Sequence, residues 1–82
     1  VYVAVPNSLH APLACAALEH GKHVLLEKPF AMNATEAAGV AAAAERNDRV
    51  LMLGMNQRFD PAVQRARALV EQGSLGAVYH TR

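Results

Sequence analysis

Polar and ionisable side chains follow three short apolar runs of the sequence, at the point where each run ends. The first group is Pro6–His10, the second is Glu27–Pro29 and the third is Asn56–Phe59. If the apolar runs are parallel strands, the three groups share one edge of a sheet, and ligands bind to open parallel sheets at the carboxyl ends of the strands. An imidazole, a carboxylate, an ammonium and a guanidinium would then meet a polar ligand from three separate loops.

The spacing of apolar residues predicts the elements that must hold these groups. Continuous apolar runs predict strands, and apolar residues three or four positions apart predict helices. The predicted strands are 1–5, 23–27, 50–54 and 77–81, and the predicted helices are 9–20, 34–46 and 61–72. This alternation predicts an α/β fold with right-handed crossovers on a parallel sheet. The first three strands are apolar on both faces, which predicts burial on both sides, whereas the fourth is half polar, as in an antiparallel sheet.

Capping residues support the predicted helix boundaries. Ser8 is a predicted N-cap of the first helix. Asn33, with Glu36 three residues later, resembles a capping box at the start of the second helix. Asp60 stands before a proline, which predicts the start of the third helix.

Composition excludes several classes of protein. The chain has 82 residues, of which 52% are hydrophobic and 18% are charged, so disorder is not expected. A net charge of +1 gives no basic surface for a nucleic acid or a membrane, and no apolar run reaches the roughly 18 residues of a membrane span. One cysteine, Cys15, excludes an internal disulfide, and the histidines are not spaced as metal ligands. We therefore expect no nucleic-acid or membrane partner and no metal.

Three motifs resemble one enzyme family. They are Asn7–His10, the stretch Gly21–Pro29 (GKHVLLEKP), and Asn56–Pro61 (NQRFDP) followed by the turn Gly73–Gly76. In this order and spacing they resemble the glucose–fructose oxidoreductase, inositol dehydrogenase and rhizopine-catabolism (Gfo/Idh/MocA) family, over essentially the whole chain. The resemblance implies an oxidoreductase that uses NAD or NADP and transfers a hydride between the nicotinamide and a sugar, a cyclitol or a related alcohol or carbonyl compound.

The resemblance also implies a domain division. Family members have an N-terminal dinucleotide-binding Rossmann domain and a C-terminal α/β domain with an open antiparallel sheet. By that comparison, residues 1–73 are the second half of a Rossmann-type sheet (βαβαβα), and residues 74–82 begin the substrate domain with its first strand.

Lys28 is the candidate catalytic residue. In the family the lysine of the Glu-Lys-Pro motif lies beside the nicotinamide and the substrate, and the bond to Pro29 is often cis. Hydride transfer from a carbinol carbon is matched by loss of the hydroxyl proton, so a cation near that oxygen stabilises the developing alkoxide. A lysine could also relay the proton. The alternative is an ordinary solvated lysine at a strand end.

The resemblance assigns five further residues to the cofactor site, besides Lys28 itself. Glu27 would accept hydrogen bonds from the ribose next to the nicotinamide, the backbone of Pro6 and Asn7 would approach the ribose and pyrophosphate, and His10 would help to close the site. Arg58 would lie near the nicotinamide or a substrate oxygen. The alternatives are a carboxylate capping its own turn, a histidine packed at a helix start, and an arginine in a surface salt bridge.

Other parts of such a site are missing from the sequence. The Gly-x-Gly-x-x-Gly turn that holds a pyrophosphate is absent, as are the acidic residue that follows it and the family's downstream Asp/His pair. We therefore expect the isolated chain to be inactive. The single cysteine and the metabolic resemblance suggest a cytoplasmic enzyme, and because family members often pair their C-terminal sheets, we expect a homo-oligomer. A non-catalytic dinucleotide-sensing regulator and a stand-alone structural module are the alternatives.

Overall fold

The computed structural model describes residues 1–81 of the chain. Strands and α-helices alternate along it, and short 3₁₀ helices precede the first and the third α-helix. The elements are β1 (Tyr2–Val3), α1 (His10–Glu19), β2 (Val24–Leu26), α2 (Ala34–Arg46), β3 (Leu51–Leu53) and α3 (Pro61–Glu71), with 3₁₀ helices at Asn7–Leu9 and Asn56–Phe59. The predicted α/β alternation is confirmed, although the three strands are shorter than predicted.

The strands form one parallel sheet in the order β1-β2-β3. Tyr2 lies opposite Leu25, and Leu25 lies opposite Met52. Each of the helices α1 and α2 connects one strand to its parallel neighbour, which is the crossover that parallel pairing requires. The arrangement is one half of a doubly wound sheet, as the alternation of elements predicts.

Helices α1 and α2 cover one face of the sheet. Leu18 from α1, Leu26 from β2 and Val40 from α2 are each 0% exposed. The buried core consists of Val3, Ala11, Ala14, Leu18, Val24, Leu26, Val40, Ala43 and Ala44. Its many alanines keep the helices slim, so that both lie close to the strands.

The other face of the sheet is open. Tyr2, Leu25 and Met52 point to it and are 58%, 40% and 46% exposed. Within the described residues, the prediction of strands buried on both faces is therefore wrong. The reason is the handedness of the crossovers, because two right-handed connections that run the same way along a sheet place both helices on the same side.

Side-chain caps start α2 and α3 as predicted. The Asn33 side chain accepts a hydrogen bond from the Glu36 backbone N–H at 2.9 Å, and the Glu36 carboxylate accepts one from the Met32 N–H at 3.0 Å. The carboxylate therefore reaches one residue further back than in a standard capping box. Asp60 accepts from the Ala62 N–H at 2.8 Å.

The start of α1 differs from the prediction. Ser8 is not its N-cap, because Leu9 occupies that position and no side chain caps the helix. The chain instead enters α1 through a 3₁₀ turn in which the Leu9 N–H donates to the Pro6 carbonyl at 2.9 Å. At the other end, Gly21 has a positive φ of 72°, the left-handed backbone that favours glycine.

The C-terminal part of the described chain stands apart from the core. No residue of α3 is buried. The fourth strand predicted at 77–81 does not form in the part of the chain described, because a strand needs the N–H and C=O groups of a neighbouring strand and none lies beside this segment. None of the helices in the described range is both long and apolar enough to cross a membrane.

Candidate active site

The three polar segments predicted to meet do lie along one edge of the sheet. Hydrogen bonds continue the sheet ladder one residue past β2 and β3, where the Glu27 N–H donates to Val3 at 3.0 Å and the Gly54 N–H donates to Leu26 at 2.8 Å. The exit edge is defined here as residues 5–10, 27–30 and 54–59. Because the strands are parallel neighbours, all three segments leave the sheet on the same side.

The Glu27 carboxylate is held from two directions. The Tyr2 hydroxyl donates to Oε1 at 2.6 Å, and the Lys28 backbone N–H donates to Oε2 at 3.1 Å. Gly54 packs beside the Glu27 carboxylate. A Cβ atom at this position would lie 3.5 Å from Oε1, in van der Waals contact. With each oxygen anchored once, the carboxylate has a fixed orientation and keeps lone pairs for a ligand.

These hydrogen bonds set the charge states of the pair. The bond from Tyr2, and after it the backbone N–H of Lys28, hold the pKa of Glu27 below its ordinary value. The same bond raises the pKa of Tyr2, because an ionised phenol would lose the bond and face a carboxylate. At neutral pH the pair is therefore a phenol that donates and a carboxylate that accepts.

Lys28 lies at the centre of the exit edge. It is exposed, its bond to Pro29 is cis, and its ammonium makes no hydrogen bond or salt bridge to any residue between 1 and 81. Lys28 lines a cavity of about 160 Å³ with Gly54, Met55, Asn56 and Gln57. The ammonium is therefore available to a ligand that enters between the second and third segments of the exit edge.

The His10 side chain is buried behind the exit edge. It is 1% exposed. Its Nδ1 is 2.6 Å from the Pro29 carbonyl oxygen, and its Nε2 is 2.9 Å from the Val5 carbonyl oxygen. Both ring nitrogens therefore contact backbone of the exit edge, so the alternative of packing on its own turn does not describe it. Its assignment to the cofactor site stays a prediction.

The other predicted residues are exposed on the same edge. Asn7 lies in the first 3₁₀ helix, and its carbonyl accepts from the His10 N–H. The Pro6 carbonyl accepts within the same turn. Arg58 lies in the second 3₁₀ helix, and its guanidinium makes no salt bridge in the described range, contrary to the alternative of a surface ion pair. Arg58 belongs to the third segment, but it does not line the cavity beside Lys28.

Tyr2 is the residue that sequence reasoning missed. It lies on β1 opposite Leu25, so it shares a sheet face with the residue two positions beyond Leu25, which is Glu27. The signal was the register between the first two strands. A tyrosine within an apolar strand could have been paired with that carboxylate once the register was assumed.

The groups on the exit edge fit one half of a dinucleotide. An oriented carboxylate suits the two hydroxyls of a ribose. An ammonium beside a cavity, without a partner in the part of the chain described, suits the oxygen of a substrate or of a nicotinamide amide. The glycines at 21, 39, 54, 73 and 76 do not form the pyrophosphate-binding turn. The described residues therefore fit the nicotinamide side, without the turn that would hold the phosphates.

A parallel sheet with its connecting helices on one face and polar segments at its exit edge is the architecture of Rossmann-type α/β domains. The family described as an oxidoreductase family with an NAD-binding Rossmann fold matches residues 1–55. The chain belongs to this family, which confirms the resemblance and the Rossmann-type half sheet. The prediction of NAD or NADP as the cofactor agrees with that description.

Individual relatives are similar over most of the chain. Levoglucosan dehydrogenase from Pseudarthrobacter phenanthrenivorans is 39% identical over 82 residues, which are 100% of this chain and 21% of the relative. An NADP-dependent scyllo-inositol 2-dehydrogenase from Bacillus subtilis is 49% identical over 61 residues, 74% of this chain and 19% of the relative. The chain thus spans about a fifth of the length of these curated relatives.

A solved structure has the same fold. It is the crystal structure of an inositol dehydrogenase homologue from Azotobacter vinelandii, complexed with NADH and myo-inositol. The TM-score is 0.87 at 37% identity, over 93% of this chain and 20% of the other.

Proposed function

We propose that this chain forms the nicotinamide-side wall of the active site of an NAD(P)-dependent dehydrogenase or reductase. The observation that carries the proposal is that one edge holds both a Glu27 carboxylate fixed at its two oxygens and a Lys28 ammonium with no partner among residues 1–81. The substrate would be a sugar, a cyclitol or a related alcohol or carbonyl compound, the class to which the names of the dehydrogenase relatives refer.

Lys28 is the proposed catalytic residue. A bound nicotinamide dinucleotide supplies the hydride acceptor or donor. As a hydride leaves the carbinol carbon, the hydroxyl passes its proton to a base outside the described residues, and the Lys28 ammonium donates a hydrogen bond to the oxygen on which negative charge develops. In the reverse direction the same ammonium polarises the carbonyl. Its lack of a competing partner in the described range leaves it able to do so.

Glu27 is the proposed ribose ligand. Its low pKa keeps it ionised, and a carboxylate accepts hydrogen bonds from two neighbouring hydroxyls at once. Pro6 and Asn7 would border the ribose and pyrophosphate through their backbone, and Arg58 would meet the nicotinamide or a substrate oxygen from the third segment. These roles also belong to the proposal.

The test compares the two lysines of the chain in the full-length protein. Lys28→Met should lower kcat by about a hundredfold or more, the range expected when an acid–base or charge-stabilising group is lost. The Kd for the dinucleotide should stay within a few fold. Lys22→Met is the matched control, because Lys22 is the other lysine in the sequence and lies in the turn between α1 and β2, at the opposite edge of the sheet.

Two results would contradict the proposal. Unchanged kcat in Lys28→Met removes Lys28 from the chemistry. Tight dinucleotide binding with no turnover of any polyol or sugar, in the unmodified protein, favours the dinucleotide-sensing regulator instead.

The domain division and the assembly are also proposals. We place the end of the dinucleotide-binding domain at residue 73 and the start of a substrate domain at 74–82, which is supported by the positive φ of Gly73 and Gly76 just after α3. Limited proteolysis should cut the full-length protein within this turn. The protein would be a cytoplasmic homo-oligomer, which gel filtration with light scattering tests.

A further inference from the structure

The ladder between the first two strands stops at a proline. Along it, alternate N–H groups donate to alternate carbonyls, from Leu25 to Val1 at 2.8 Å and from Glu27 to Val3 at 3.0 Å. The next step of the same pattern would join the N–H of residue 29 to the carbonyl of Val5. Residue 29 is a proline and has no N–H, so the ladder cannot make this bond.

The His10 ring lies at the missing bond. Its Nε2 lies 2.9 Å from the Val5 carbonyl oxygen that the ladder leaves without a donor, and its Nδ1 lies 2.6 Å from the Pro29 carbonyl oxygen. Carbonyl oxygens only accept hydrogen bonds, so the ring is the donor. A neutral ring donates to one of the two, and a protonated ring donates to both. At 1% exposure, little water reaches the ring to compete.

Lys28 lies between two anchors as a result. On one side Glu27 is held by the last bond of the ladder, and on the other Pro29 is held by His10. We propose that His10 is a positioning residue which anchors Pro29 at the point where the ladder bond is missing, and so fixes the backbone that carries Lys28. This inference rests on the proposed function of Lys28.

A residue that positions Lys28 differs in its measurable effects from a residue that contacts the cofactor. A residue that contacts the dinucleotide changes its Kd when it is removed. A residue that positions Lys28 changes kcat, and it does so only while Lys28 is present. The two roles are therefore separated by a split between Kd and kcat and by a double variant.

The experiment measures kcat, KM and dinucleotide Kd for His10→Leu in the full-length protein. Leucine keeps an apolar side chain in the buried space and removes both ring nitrogens. We expect kcat to fall roughly ten- to a hundredfold, the effect of misplacing a catalytic group by about 1 Å, and Kd to change by less than about threefold. His20→Leu is the matched control, because the exposed His20 at the end of α1 bonds only to the Ala16 carbonyl in its own turn.

The double variant His10→Leu/Lys28→Met decides between positioning and an independent effect. If His10 acts through Lys28, the double variant has the same kcat as Lys28→Met alone. Losses that multiply, or a loss confined to Kd, overturn the proposal. Lys28→Met by itself tests the proposed function, so that a normal kcat in His10→Leu beside a collapsed kcat in Lys28→Met refutes this inference alone.

A measurement on the unmodified protein covers the case in which His10→Leu does not fold. Nitrogen-edited NMR of protein labelled in its histidine rings should show a slowly exchanging proton on Nδ1 of His10, since the Pro29 oxygen at 2.6 Å requires a donor there. An Nδ1 without a proton would overturn the bond to Pro29 and with it the positioning role.

Discussion

Removing the Tyr2 hydroxyl should loosen the Glu27 carboxylate without disturbing the fold. Tyr2→Phe deletes the 2.6 Å hydrogen bond to Oε1 and leaves the 3.1 Å bond from the Lys28 N–H on Oε2. Tyr2 is 58% exposed and the substitution keeps the ring, so little packing is lost. The carboxylate keeps one anchor and gains freedom to rotate.

The expected effect on binding is modest because water screens the bond. A polar pair at an exposed position contributes little free energy, because water competes for both groups. We therefore expect the dinucleotide Kd to rise by about two- to fivefold in Tyr2→Phe. The effect on ionisation follows from the cause of the shift. Since the bond from Tyr2 is the largest reason for the low pKa of Glu27, the pKa should rise towards its ordinary value in Tyr2→Phe.

The lowered pKa of Glu27 determines how dinucleotide binding should change with pH. Glu27 has a depressed pKa in the folded protein, so the binding and stability that its charged form supplies are present at neutral pH and are lost as the pH falls through the folded pKa. In Tyr2→Phe this loss should begin at a higher pH. The assay is a titration of NADH or NADPH fluorescence at a series of pH values from neutral to acidic.

The matched control for this variant is Tyr79→Phe. Tyr79 is the other tyrosine of the sequence, and it is 94% exposed. It should leave both the Kd and its pH dependence unchanged. If Tyr2→Phe also leaves both unchanged, Tyr2 does not orient a ribose ligand and the described geometry of Glu27 does not matter for binding.

Two further predictions concern stability, each measured by chemical denaturation followed by circular dichroism. Leu18→Ala removes a side chain that is 0% exposed and should lower the free energy of unfolding by about 3–5 kcal/mol. The control Leu13→Ala, at a 43% exposed position of the same helix, should lower it by less than about 1 kcal/mol. Equal losses in the two variants would contradict the described core. Asn33→Ala removes the cap of α2 and should lower the free energy of unfolding by about 1 kcal/mol. Asn33→Asp should stay close to the original value, because aspartate also caps helices. An unchanged free energy in Asn33→Ala would mean that α2 does not depend on this cap.

The elements of the fold could be predicted because each has a local signature. The runs around Val3, Leu25 and Met52 are apolar, and Asn33 and Asp60 mark helix starts. The fourth strand could not be established in this way, because pairing depends on a neighbour that alternating residues do not reveal. The open sheet face was missed for a related reason, since apolar residues on both sides of a strand do not say which element covers them.

The location of the candidate site could be predicted from the sequence, but most of the hydrogen bonds within it could not. Parallel strands bring their exits together, so Glu27, Lys28 and Asn56 could be assigned to one edge from the order of elements alone. The partners of Glu27 and His10 depend on strand register and on the rotamers of single side chains, which no local pattern encodes. Tyr2 was therefore overlooked, and the contacts of both His10 ring nitrogens with backbone oxygens were not foreseen. The assignment of His10 to the cofactor site stays a prediction.

The bridge made by His10 also orders events in time. Val5 and His10 are close in the chain, but the Pro29 oxygen is 19 residues beyond the ring. During synthesis at about 5–20 residues per second, the ring exists for roughly one to four seconds before its second acceptor is made. Until then the ring has only its local acceptor, the Val5 carbonyl, and the backbone around Lys28 can take its final shape only once β2 has docked.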